Sequence, residues 1–161
     1  MTTGLPDFYK QNLWANLHLL DACEQLSDEQ LDKTMDGTFG SIRETLMHML
    51  AAEEGYARHV TGKIPSPTLK ECAVFPGFDE LRRRARLSGE LLIEAAEQKD
   101  LDRILSLDGG TYECPAIIVM IQAINHGTDH RSQVATLLTQ QGIEPPGIDA
   151  WDYHDAMRER S

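Results

Sequence analysis

The chain has 161 residues, 41% of them apolar and 25% charged. That is ordinary composition for one folded domain, and it excludes a disordered or low-complexity chain. Lys and Arg number 15 against 26 Asp and Glu, a formal charge of −11; so acidic a surface repels phosphate backbones and anionic lipid, and neither nucleic acid nor a membrane is an expected partner.

Gly and Pro divide the sequence into four long periodic blocks. The first runs from about Pro6 to Gln25, with Pro6 and Asp7 suited to a first helical turn. Ser27-Asp28-Glu29-Gln30 is a capping box for a short helical turn, and Asp36-Gly37 reads as a turn. The second block, about Ile42 to Thr61, opens on a Ser41–Glu44 box and stops at Gly62. Ile42, Leu46, Met49, Glu53, Tyr56 and Val60 keep helical spacing along it. Lys63 to Ala73 reads as loop. The third block, about Phe78 to Gln98, carries Arg82-Arg83-Arg84, which the net acidity reads as a solvated helix face. Ile104–Leu107 and Thr111–Cys114 flank Asp108-Gly109-Gly110 and predict a small β-hairpin. The fourth block, about Pro115 to Gln141, is apolar on nearly every side from Ala116 to Ile124, as a central helix or a subunit contact requires. Trp151 and Tyr153, in the tail over residues 143–161, are expected to dock that end onto the body. Four helices and one hairpin in a single domain over residues 1–161 predict an all-α fold, a four-helix bundle.

The longest apolar stretch, Cys114 to Ile121, contains a proline and falls far short of the roughly 20 residues that cross a bilayer. No signal peptide is visible in MTTGLPDFYK. Cys23, Cys72 and Cys114 are odd in number and widely spaced, which fits reduced thiols in a cytoplasmic protein better than a disulfide framework or a thiolate zinc site.

Among six histidines, two stand at i and i+4: His126-Gly-Thr-Asp-His130. They lie one turn apart on a helix, close enough for both imidazoles to reach one ion. Val119, Ala123, His126, His130, Val134 and Leu137 form one stripe, and its other members are apolar, so the pair points inward. Such a pair is either core histidine satisfied by its neighbours or a metal site lacking a third ligand. His48, on a stripe with Thr45, Ala52 and Gly55, is the best candidate for that ligand. His59 lies about 16 Å further along and reads as a solvated end residue. His18 is a candidate fourth ligand or cavity wall, and His154 reads as surface. HExxH, Glu-x-x-His, G-x-S-x-G, the Walker loop and GxGxxG are all absent, so nothing points to a zincin, a di-iron bundle, a hydrolase triad or a nucleotide fold.

Three segments carry a resemblance: Trp14-Ala15-Asn16, the run from Ser41 to Glu53, and His126-Gly-Thr-Asp-His-Arg-Ser-Gln133. With them the chain resembles the DinB/YfiT-like family along nearly its whole length. The resemblance implies a four-helix bundle, usually a homodimer, that binds one divalent metal through His48, His126 and His130. Better-understood relatives transfer low-molecular-weight thiols or isomerise substrates with thiol cofactors. The expected function is therefore a metal-dependent enzyme of the thiol S-transferase or hydrolase type acting on a small-molecule substrate, with a low-molecular-weight thiol as a candidate cofactor. The alternative is a non-catalytic protein with a structural metal. Three nitrogens leave zinc, nickel, iron and manganese all open. Gln133 and Glu44 are the candidate supporting residues: Gln133 falls near His126 around the helix, and Glu44, otherwise the capping-box residue, precedes His48 by one turn.

Overall fold

Two helices begin at the capping boxes that the sequence offers. Ser41 Oγ accepts from the Glu44 N–H at 3.2 Å and Glu44 Oε2 accepts from the Ser41 N–H at 2.8 Å, closing the expected box. Ser27 and Gln30 close theirs in the same way. In this computed structural model, residues 4–63, 67–70 and 73–159 are described. The helices are α1 (Leu5–Glu24), α2 (Asp28–Asp32), α3 (Ile42–Thr61) and α4 (Phe78–Ala96), then α5 (Ala116–Gln140) and α6 (Ala150–Glu159). Between α4 and α5, strands β1 (Ile104–Leu107) and β2 (Tyr112–Pro115) pair antiparallel, with Leu107 opposite Tyr112. Part of the loop expected over residues 63–73, Cys72 included, lies outside the described residues.

Helices α1, α3, α4 and α5 form a bundle in which α1 packs on α4 and α5, and α3 packs on α4 and α5. Two apolar clusters fill it. Leu19, Leu20, Leu46, Leu50, Leu81 and Leu137 belong to one, and Tyr9, Ala57, Leu92, Met120 and Ala123 to the other. Chain order through these clusters gives the directions: α1 and α5 run one way, α3 and α4 the other. The parallel pair α3 and α4 therefore needs a connection as long as the bundle, and the segment after Thr61 supplies it.

A buried polar layer divides the two clusters. Glu53 Oε2 accepts from the amides of Asn12 and Asn16 at 2.9 Å each, and Glu53 Oε1 accepts from Ser88 Oγ at 2.7 Å. Arg131 Nη1 donates to Asn12 Oδ1 and Asn16 Oδ1 at 2.7 Å each. One residue or more from each of the four helices thus meets at the centre. Burial pushes the Arg131 guanidinium below its ordinary value, and the charge of Glu53 opposes that shift. A buried network of this kind is favourable only when its members are satisfied, so it discriminates sharply against a shifted register.

Two expectations are corrected here. Arg82, Arg83 and Arg84 do not share a solvated face, because successive helical residues point about 100° apart. Arg84 is buried and pairs with Glu54 at 2.7 Å, Arg82 pairs with Asp21 at 2.7 Å and with Glu24, and Arg83 pairs with Glu80 at 2.7 Å. In the tail, Asp149 Oδ1 caps a helix through the N–H groups of Trp151 and Asp152. Tyr153 reaches the Trp14 ring at 5.5 Å, but Trp151 is 79% exposed and so is not buried against the body. No described helix is long and apolar enough to cross a membrane.

Candidate metal site

The stripe on α5 turns His126 and His130 toward α3, where His48 meets them. The three rings lie 4.4 to 4.9 Å apart between centroids. One ligand nitrogen from each lies within 4.8 Å of the others, so the group could hold a metal ion. His48 Nε2 and His126 Nε2 approach to 3.1 Å, so these two ring nitrogens converge on one place. The group has three members, with no fourth carboxylate, thiolate or imidazole among the described residues.

Gln133 sets the third imidazole. Its Oε1 accepts from the Phe39 backbone N–H at 3.0 Å, which identifies that atom as the amide oxygen. The same oxygen lies 3.2 Å from His130 Nδ1. An oxygen facing Nδ1 places the ring proton there and leaves Nε2 as a lone pair for an ion. Phe39 also stacks on His48 at 4.0 Å and meets the edge of His130 at 5.5 Å. Sequence reasoning missed Phe39, since a phenylalanine in the loop before α3 carries no periodic signal. Glu44 stands at the start of α3, with Oε2 engaged by the Ser41 N–H.

The other histidines go elsewhere. His18 Nδ1 is 3.0 Å from the Trp14 carbonyl oxygen and its ring lies 4.1 Å from the Trp14 ring, outside the three-histidine group. His59 is half-buried rather than solvated, and with Tyr56, Val119 and Gln122 it lines a cavity of about 390 Å³. The Tyr56 ring lies edge-on to His126 at 5.7 Å, so this cavity and the histidine cluster share a wall.

Comparison with known proteins places this architecture. A curated relative, Protein DinB of Bacillus subtilis (strain 168), is 24% identical over 144 residues, covering 83% of this chain and 84% of the relative. The crystal structure of a DinB-like protein from Bacillus cereus ATCC 10987 matches with a TM-score of 0.70 and 23% identity, over 90% of this chain and 95% of that one. The likeness extends to the bundle and not, at that identity, to chemistry. The sequence profile of the DinB family matches residues 1–161, and the chain belongs to the DinB family.

Proposed function

We propose that the protein is a divalent-metal-dependent enzyme acting on a small molecule, with His48, His126 and His130 as ligands and a thiol S-transferase reaction as the leading type. The observation that carries this reading is three converging imidazoles beside a cavity. A catalytic metal needs a space from which substrate can reach it, and the adjoining cavity supplies one. A divalent ion held there supplies Lewis acidity, which acidifies the water or thiol that joins it. Gln133 holds the His130 tautomer, Phe39 screens one side from water, and Tyr56 borders the space where a substrate would enter. A purely bracing metal is less apt, because the Glu53–Arg131 layer already ties all four helices together.

Elemental analysis of protein purified without added metal should find one ion per chain, and His126→Ala should lose it. Affinity should fall on acidification, because protons compete for the same imidazole nitrogens. Thiol transfer to an electrophile panel should stop on chelation, while circular dichroism keeps its helical form. Full metal content in His126→Ala would overturn the ligand assignment, and metal-free protein as active as loaded protein would overturn the enzyme reading.

We also propose a two-fold homodimer across the outer face of α5. Ile121 is 48% exposed there, with Ile117 and Ile124 half-buried beside it, although the same stretch of helix buries Val119, Met120 and Ala123 inward. Light scattering should give a dimer at micromolar protein and a monomer for Ile121→Glu. A monomeric wild type would refute it.

A further inference from the structure

The cavity beside His126 carries a lining that selects by charge. We propose that it binds the apolar body of a neutral or cationic small molecule, and excludes anions, so that this body is presented to the three-histidine site. The presentation rests on the function proposed above; the binding does not.

Three elements build the cavity. Leu107 and Tyr112 are cross-strand partners in the hairpin, so their side chains share one face of it. Ile118 and Val119 form the α5 wall, and Tyr56 the α3 wall. Ile118 and Tyr112 remain 46% and 54% exposed, large apolar surfaces that nothing in the described chain covers. A volume of about 390 Å³ falls in the range of small-molecule sites, which run from roughly 300 to 1,000 Å³.

Beside the His59 imidazole, Asp108 supplies the one carboxylate of the lining among the described residues. No lysine or arginine lines it among the described residues. Asp108 sits on the hairpin turn, the one non-glycine residue with positive φ (50°) among the described residues. Aspartate tolerates that region better than most residues. Its main chain is held by Thr111 Oγ1, which donates to the Asp108 carbonyl at 2.9 Å. The carboxylate makes no ion pair among the described residues, so a ligand cation would find it uncompensated. An anion would face that carboxylate and the acidity of the whole chain, with no lysine or arginine among the described lining residues to receive it.

Equilibrium dialysis with three probes on one skeleton tests the selection: 2-naphthylmethylamine, 2-naphthalenemethanol and 2-naphthoate, each with metal-free and zinc-loaded protein. The amine and the alcohol should bind, and naphthoate should bind at least tenfold more weakly than the amine. Asp108→Asn, which keeps a residue suited to positive φ, should bring the amine to the level of the alcohol. Ile118→Trp fills the space and should weaken both at least tenfold while zinc content stays at one per chain. Gln122→Trp, at an exposed α5 position, repeats that test should Ile118→Trp fail to fold. In manganese-loaded protein the naphthyl proton resonances should broaden. Naphthoate binding as tightly as the amine, or undiminished binding in a folded filled variant, would overturn the proposal. Tight binding without broadening in the manganese-loaded protein would remove the link to the histidines. Failure of wild-type protein to take up zinc would sink the proposed function instead, and the metal-free titrations would still decide the cavity.

Discussion

Gly127 stands between the two α5 histidines, and its missing side chain is a structural requirement. A Cβ there would lie 2.9 Å from Arg131 Nη1 and 3.1 Å from Asn12 Oδ1. Arg131 cannot swing aside without losing hydrogen bonds to Asn12, Asn16 or Thr128. Hydrogen bonds from a charged group contribute about 1.5–3 kcal/mol each, more than the ~1 kcal/mol alanine gains over glycine in helix propensity. Gly127→Ala should therefore lower the unfolding free energy in urea by about 2 kcal/mol; a variant more stable than wild type would show that the network yields easily. At Gln133 the prediction concerns the metal. Gln133→Leu leaves His130 Nδ1 without its oxygen partner, and metal affinity measured against a competing chelator should fall roughly 10–100-fold with the fold intact. Gln133→Glu keeps an acceptor for both Nδ1 and the Phe39 N–H, and should retain most of that affinity.

Among the elements, the long connection from α3 to α4 is the one that the helix propensities do not secure. It is pinned by a buried pair. Glu54 Oε1 accepts from Arg84 Nη1 at 2.7 Å, Glu54 Oε2 accepts from the Leu69 N–H at 2.9 Å, and Arg84 Nη2 donates to the Pro67 carbonyl at 2.8 Å. Removing one member of a buried pair strands the other's charge, which costs more than the pair itself contributes. Glu54→Ala should destabilise by about 3 kcal/mol, at the low end for such a loss because Arg84 keeps Glu80. Limited proteolysis should then cut between α3 and α4 before any other connection. If that connection is cut no faster than in wild type, the pair does not hold it.

At the scale of the whole molecule, two buried acids predict alkaline instability. Burial pushes the Cys23 thiol up to about 12 from 9.0, and burial with the charge of Glu53 pushes the Tyr9 phenol well above its usual range. Both groups are neutral in the fold and ionise more readily in the unfolded chain. Their contribution is thus fully present below pH 9 and is lost as pH rises through 9 to 12 for Cys23, and higher still for Tyr9. The urea midpoint should fall steadily between pH 8.5 and roughly 11, and Cys23→Ala should show a shallower fall. A flat profile would mean that these groups are not shielded from water.

What was legible in the sequence follows from local physics. Capping boxes, glycine stops and a period of 3.6 residues act within one helix, so Ser41, Gly62 and the α5 stripe located the helices and turned His126 and His130 inward without any other segment. The Gly-Gly turn located the hairpin for the same reason. His48 was a candidate on similar grounds, but its meeting with His126 at 3.1 Å depends on how α3 and α5 are set against each other. The tertiary structure decided that setting through the Asn12–Asn16–Glu53–Ser88–Arg131 layer, whose members are up to 119 residues apart in sequence. Glu53 on an apolar stripe was the one local sign of it, because a buried carboxylate must find donors somewhere and periodicity does not say where. The three arginines on α4 parted ways and Phe39 closed over the histidines for that same physical reason: partners distant in sequence, not local spacing, set the environment of each side chain.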